Sequence, residues 1–325
     1  MNRNVYSWGY KTAIPPHFPG KGLRFGPKSF KMRNMDIRRP QKAGKDFRMN
    51  EFKGSQNYVA DPELLRAVNI AMVLQKPLLI KGEPGTGKTM LAEAVSAALN
   101  KKLIIWNIKS TTKAQDGLYV YDVVQRLYDS QFGTAGVDDI AKYIKLGRLG
   151  EAFQSDEQVV LLIDEIDKAD LEFPNDLLWE LDQMEFYIPE TKETAAAKQR
   201  PIVIITSNAE KELPDAFLRR CIFHYIAFPN QAMMSDIVHA HYPDIEDHLL
   251  DKAMGAFYQV RDLPTVAKKP STSELLDWLQ ALRLGGVDPE KIEKELPYAG
   301  ILLKKNEDLV AVKNAKTRVK NGYRW

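Results

Sequence analysis

Gly82-Glu83-Pro84-Gly85-Thr86-Gly87-Lys88-Thr89 is the stretch on which the fold turns. The short apolar run Pro77-Leu78-Leu79-Ile80 precedes it, and an alanine-rich stretch of helical character, residues 90–99, follows. Strand, glycine turn and helix form the setting in which this spacing of glycines, lysine and threonine cradles phosphates. Glycines let successive backbone N–H groups curl around an anion with no Cβ in the way. The helix opening near Lys88 turns the positive end of its dipole to the same point. Lys88 is placed to reach the β- and γ-phosphates, and the Thr89 hydroxyl to ligate Mg²⁺. The loop therefore predicts a site for a nucleoside triphosphate, ATP with Mg²⁺. Gly82, Glu83, Pro84, Gly85, Thr86, Gly87, Lys88, Thr89 and Met90 contribute to it.

Outward from the loop, the chain alternates strands and helices. Asp61-Pro62-Glu63 places a cap, a first-turn proline and an acid before LLRAVNIAMVLQ, which predicts an amphipathic helix. Downstream, the apolar runs at 103–108, 159–163, 202–205 and 223–228 read as strands, and 121–130, 138–153, 172–184 and 213–220 as helices. The polar segment 189–200 reads as an exposed loop. Continuously apolar strands separated by helices predict a parallel sheet covered on both faces. After Pro229-Asn230 the strands stop, and 232–241, 245–260, 273–284 and 289–296 all read as helices. That shift marks a second, all-helical domain.

A second chemical feature is Val159-Val160-Leu161-Leu162-Ile163-Asp164-Glu165. An apolar strand delivers two acids at its C-terminal end, where ligands bind in open α/β sheets. Alone it reads equally as a strand ending in solvated acids. Beside the phosphate loop, Asp164 is placed to hold Mg²⁺ and Glu165 to polarise the water that attacks the γ-phosphate. Asn208 follows the strand at 202–205 and could orient that water, although asparagine there is also a common turn residue. Arg219 and Arg220 end a short helix, where they favour the helix dipole. Alternatively, they reach the ATP of a neighbouring subunit and neutralise charge there.

These residues, in this order, resemble the AAA+ ATPases from about Val59 to Leu284, and within them the MoxR family. The stretches that carry the likeness are KGEPGTGKTMLAEAV, IKSTTKAQDGLYVYD, VVLLIDEIDKAD, IVIITSN and LPDAFLRRCIFHYIAFP. The resemblance implies an α/β fold, a three-layer αβα parallel-sheet P-loop domain followed by a small all-helical lid domain. The chain then divides into a basic Pro/Gly-rich arm (1–56), the nucleotide-binding domain (57–230), the lid (231–300) and a basic tail (301–325). Lys88 and Thr89 would be Walker A, Asp164 and Glu165 Walker B, Asn208 sensor 1, and Arg220 the arginine finger with Arg219 assisting. Tyr58 and Val59 fall where such proteins hold adenine. A hexameric ring is implied, a homo-oligomer with ATP at subunit boundaries. It would remodel a protein client, often one with a von Willebrand A domain, sometimes to help metal-cofactor insertion. One departure stands out. Ser273 occupies the place of the lid's sensor 2 arginine, leaving Lys268, Lys269 or Arg283 as substitutes.

The remaining features are weaker. The composition, 44% hydrophobic and 27% charged, suits a globular chain with a sizeable core. No apolar run is long enough to span a bilayer. The N-terminal residues carry no apolar export segment, and a single cysteine, Cys221, forms no internal disulfide, which together favour the cytoplasm. The net charge of +3 is unevenly spread. Residues 1–54 are strongly basic, with Asp36, Asp46 and Glu51 their only acids, and Trp8, Phe18, Phe25 and other aromatics are interleaved. Such an arm could bind nucleic acid, which would make a nucleic-acid-remodelling motor. Docking on a protein is the favoured reading, because no nucleic-acid-binding fold surrounds the aromatics. A slow, nucleotide-gated scaffold is a further alternative. Residues 118–122 (LYVYD) read either as a client-gripping loop or as core packing. His239 and His241, two apart on a helix, point away from each other and read as ordinary rather than metal-binding residues. Cys221 has no neighbouring base and reads as a packing residue.

Overall fold

Alternation along each central strand shows how the core is layered. A computed structural model describes residues 51–55, 58–133 and 136–320. The arm up to residue 50 and the last five residues of the tail lie outside the described residues. Five strands form one parallel sheet: β1 (Leu78–Gly82), β2 (Leu103–Asn107), β5 (Val160–Asp164), β8 (Ile202–Ser207) and β9 (Ile222–Ile226). Their spatial order is β2-β5-β8-β1-β9. Two small antiparallel pairs supply the other strands, β3 (Tyr119–Tyr121) with β4 (Ile144–Leu146) and β6 (Glu185–Ile188) with β7 (Glu193–Ala196).

Successive side chains on a strand point to opposite faces. Leu79, Leu161, Ile163 and Ile205 therefore enter one buried cluster, and Leu78, Ile80, Leu162 and Ile204 another. The second cluster is closed by α1 (Pro62–Leu74) and α2 (Lys88–Leu99), which bring Leu64, Val68, Leu91 and Val95. The first is closed by α3 (Ala114–Leu118), α5 (Arg148–Gln154), α6 (Phe173–Asp176), α7 (Leu178–Gln183) and α8 (Asp215–Leu218). Helix α4 (Val123–Gln131) stands outside, with no buried residue. Each of the fully buried leucines and isoleucines contributes about 1.5–3 kcal/mol relative to exposure. The result is a three-layer αβα architecture around one parallel sheet.

The helix expected at α1 starts as the sequence indicates, with the Asp61 carboxylate accepting the Glu63 and Leu64 N–H groups at 2.8 Å. Two expectations fail. Residues 138–153 are not one helix. A short 3-10 turn, Ile140–Tyr143, leads into β4, and only from Arg148 does α5 run. Gly147 divides them: a Cβ there would stand 2.2 Å from the Asp116 carbonyl oxygen, so the chain passes extended against α3. The polar segment 189–200 is also not all loop. Its residues 193–196 form β7, pairing with β6 whose Phe186 and Ile188 face the core. One buried face on a polar edge is too weak a pattern to read from sequence.

Beyond Phe228 the chain is helical: α9 (Gln231–His241), α10 (Asp247–Asp262), α11 (Thr272–Leu284), α12 (Pro289–Glu295), α13 (Ala299–Leu302) and α14 (Asn306–Lys320). Trp278, Phe257, Leu279 and Met234 centre a separate buried cluster, consistent with a helical lid. Of the segment expected as a basic tail, Asn306–Lys320 forms α14. Its Asp308 is buried and accepts the Ala267 and Lys268 N–H groups at 2.9 and 3.2 Å.

Candidate functional site

Strand order assembles the site. β1, β8 and β5 are adjacent and parallel, so Gly82, Ser207 and Asp164 emerge at one edge. A cavity of about 540 Å³ opens there, between the sheet edge and the lid.

The phosphate loop forms its floor. Gly85 and Gly87 have φ of 75° and 80°, which side chains other than glycine strain to adopt. A Cβ on Gly85 would also meet the Ser271 Cβ of the lid at 2.4 Å. Pro84, Gly85, Thr86, Gly87, Lys88, Thr89 and Met90 line the cavity. Gly82 and Glu83 stand behind it: their carbonyls accept the Lys88 ammonium at 2.9 and 2.8 Å. Burial pulls the Lys88 ammonium below the ordinary lysine range, opposed by the nearby charges of Asp164, Asp167, Glu165 and Glu83.

The acids are tied to the loop and to β8 by one network. Thr89 donates its hydroxyl to Asp164 Oδ1 at 3.1 Å. Thr206, wholly buried, donates to the same oxygen at 2.6 Å and accepts the Glu165 N–H at 2.8 Å. That bond holds Glu165 in a left-handed backbone conformation, φ 56° and ψ 52°, which costs about 1–3 kcal/mol for a residue other than glycine. Asn208 Nδ2 donates to Glu165 Oε1 at 2.8 Å, and Lys168 pairs with the other carboxylate oxygen. The hydrogen bond to Glu165 raises the Lys168 ammonium above its ordinary value. Asp167, 2% exposed, accepts the Asn208 and Glu210 N–H groups at 3.3 and 2.9 Å. It fixes the loop in which Ala209 is left-handed, φ 60°.

Lys88, Thr89, Asp164, Glu165 and Asn208 thus converge on one cavity. Thr89 and Asp164 present only oxygen donors to the same point, the donor set that suits Mg²⁺. Tyr58, Val59, Ile226, Met233 and Ile237 also line the cavity. Burial raises the Tyr58 hydroxyl well above its ordinary value, keeping it neutral. Arg219 and Arg220 do not line the cavity. Arg220 pairs with Asp182 and donates to the Ala216 carbonyl at 2.8 Å.

Over the cavity, Thr272, Ser273, Leu276 and Asp277 of the lid complete the wall, and Lys268, Lys269 and Arg283 are absent from it. Arg283 lies over the Tyr242 ring, 5.6 Å from its centroid. Of the LYVYD residues, Leu118 and Tyr119 are buried and Tyr119 donates to Glu190 at 2.9 Å, while Val120 is exposed. His239 Nδ1 meets the Ser235 carbonyl at 2.8 Å, and His241 lines the cavity. Burial pushes the Cys221 thiol up to about 12, which keeps it protonated and unreactive.

Sequence reasoning missed Thr206, Asp167, Lys168 and Arg261. The first two were within reach: a threonine near the end of an apolar strand, and a third acid in the DEID run. Arg261 carried no such mark. It contacts Glu83 across 178 residues of chain.

Residues 77–221 match the AAA domain of the dynein-related subfamily. Over 80 residues the chain is 35% identical to midasin of Giardia intestinalis, a stretch amounting to 23% of this chain and 2% of that protein. The sheet, the phosphate loop and these matches support a AAA+ ATPase, a nucleotide-binding protein of the P-loop class. Such proteins typically oligomerise. Among the described residues, no helix is long and apolar enough to cross a membrane.

Proposed function

We propose that this chain is a MoxR-like AAA+ ATPase that hydrolyses ATP at subunit boundaries of a homo-oligomeric ring, a hexamer, to remodel or activate a protein client in the cytoplasm. The observation that carries the reading is the bonded network Thr89–Asp164–Thr206–Glu165–Asn208 at the mouth of the phosphate loop. Residues 57–230 form the nucleotide-binding domain and 231–300 the lid. Thr89 and Asp164 would hold Mg²⁺, which neutralises charge on the phosphate oxygens. Lys88 draws charge from the β- and γ-phosphates through its buried ammonium. Glu165 takes a proton from water as the water oxygen attacks the γ-phosphorus. The bond to the β-phosphate oxygen then breaks, and ADP carries away the electron pair. Asn208 orients the attacking water by holding the Glu165 carboxylate. For Glu165 to act, the Lys168 pair must yield. Tyr58 and Val59 receive the adenine.

Arg220 serves the ATP of a neighbouring copy, with Arg219 assisting. Both lie outside their own cavity, and Arg220 is half-exposed on Asp182. The client is a protein, with one bearing a von Willebrand A domain the first to try. Replacement Glu165→Gln should retain ATP binding and lower turnover at least about 100-fold. Arg220→Ala should also lose turnover. Mixed rings of the two variants should regain part of it, because an intact finger then faces an intact base. Normal steady-state hydrolysis by Glu165→Gln would remove Glu165 from the chemistry, and verified mixed rings without recovery would remove the finger in trans.

A further inference from the structure

We infer that Arg261 of the lid and Glu83 of the phosphate loop form the coupling through which lid position and phosphate grip set one another, making Arg261 a positioning residue for the nucleotide. The inference rests on the nucleotide-binding reading above and names the regulation of that same site. Arg261 lies in the last turn of α10, with its side chain 8% exposed. Its guanidinium donates to a Glu83 carboxylate oxygen at 2.8 Å and to the Pro270 carbonyl. It also lies on the Phe228 ring, 3.3 Å from the centroid. One side chain therefore touches the phosphate loop, the connector out of β9 and the residue before the Ser271 cap of α11. A guanidinium this deeply buried is costly unless paired, so loss of its partner has consequences.

Glu83 is the other half of the device. Its side chain holds the lid while its carbonyl accepts the Lys88 ammonium at 2.8 Å and the Thr86 hydroxyl at 2.9 Å. A bound triphosphate competes for that ammonium, so the Glu83 main chain responds to the ligand that Lys88 grips. The Pro270–Ser271 segment, which Arg261 orients, rests on Gly85 with no room for a Cβ between. The lid residues that line the cavity include no lysine or arginine. The lid's electrostatic share thus passes through Glu83 instead of being laid on the γ-phosphate directly. Linkage requires the effect to be reciprocal: moving the lid changes nucleotide affinity by the factor with which nucleotide moves the lid.

The test uses the full chain with a distance reporter between α2 and α11, and measures ATP and ADP affinities with lid displacement. Arg261→Met and Glu83→Gln should each reduce the ATP-induced displacement and change ATP affinity about 5- to 20-fold. The double variant should be no worse than either single one. Arg261→Lys, which keeps the charge but not the fork, should fall between. Glu83 is half-exposed, so Glu83→Gln keeps the inference falsifiable if the Arg261 variants fail to fold. Wild-type displacement and affinity in Glu83→Gln, or additive effects in the double variant, would overturn it. Should wild-type protein bind no ATP, the nucleotide reading falls with it. Should it bind and turn over ATP while the variants match it, only the coupling falls.

Discussion

At the sheet edge, Asp164, Glu165, Thr206 and Asn208 reach their positions because adjacent parallel strands end side by side. Over that edge, the lid reaches the loop through Arg261, placed by the packing of α10 against Phe228 and Pro270. The first region is held by burial and by hydrogen bonds among its own residues. Its residues lie at or just beyond the ends of buried strands, and hydroxyl and amide donors reach its carboxylates over 2.6–3.3 Å. The second has its own buried cluster, joined to the first by one connector and a few polar contacts. The groups proposed for chemistry sit at the edge of the buried sheet, and the group proposed to report occupancy sits on the lid.

The largest effect that would test this division lies in the lid core. Trp278 is wholly buried and donates its indole N–H to the Pro297 carbonyl at 2.6 Å. Trp278→Ala should cost about 3–5 kcal/mol. If the two regions are separate, denaturation followed by lid and sheet probes should show the lid transition moving first. A single coincident transition, displaced as a whole, would break the comparison.

A smaller effect sharpens it from the other side. Thr206→Val keeps the shape of a buried side chain and leaves the Glu165 N–H without its acceptor. The expected cost is about 1–3 kcal/mol, with turnover falling more than ATP affinity. Thr206→Ser should restore turnover. Equal losses in affinity and turnover would mean that Thr206 serves only the fold.

The smallest is a pH effect on Lys88. Its folded value lies below the ordinary lysine value of 10.5, chiefly through burial. As pH rises through that lowered value the ammonium is lost, so ATP affinity should fall. Over the same alkaline window the unfolded chain binds more protons than the folded one. The Lys88 contribution to stability therefore rises while affinity falls. Titrations of melting temperature and of ATP affinity with pH should diverge in this sense, and Lys88→Met should abolish the divergence. Parallel trends would place the Lys88 charge outside phosphate binding.

Much of the sheet was legible from local pattern. Runs such as Val160–Asp164 are apolar throughout because both faces are covered, and a glycine loop between strand and helix has few other uses. The acids, Asn208 and the loop residues could be named for the same reason, since strand ends carry them to one edge. Tertiary structure decided the rest. Gly147 and the pairing of β3 with β4 overrode the helical period of 138–153. The Thr206 and Asp167 bonds depend on β5 and β8 being neighbours, an order that local pattern does not contain. Arg261 is the limiting case. Nothing within a few residues of it signals a partner, because its partner was brought from the other domain by the folding of both.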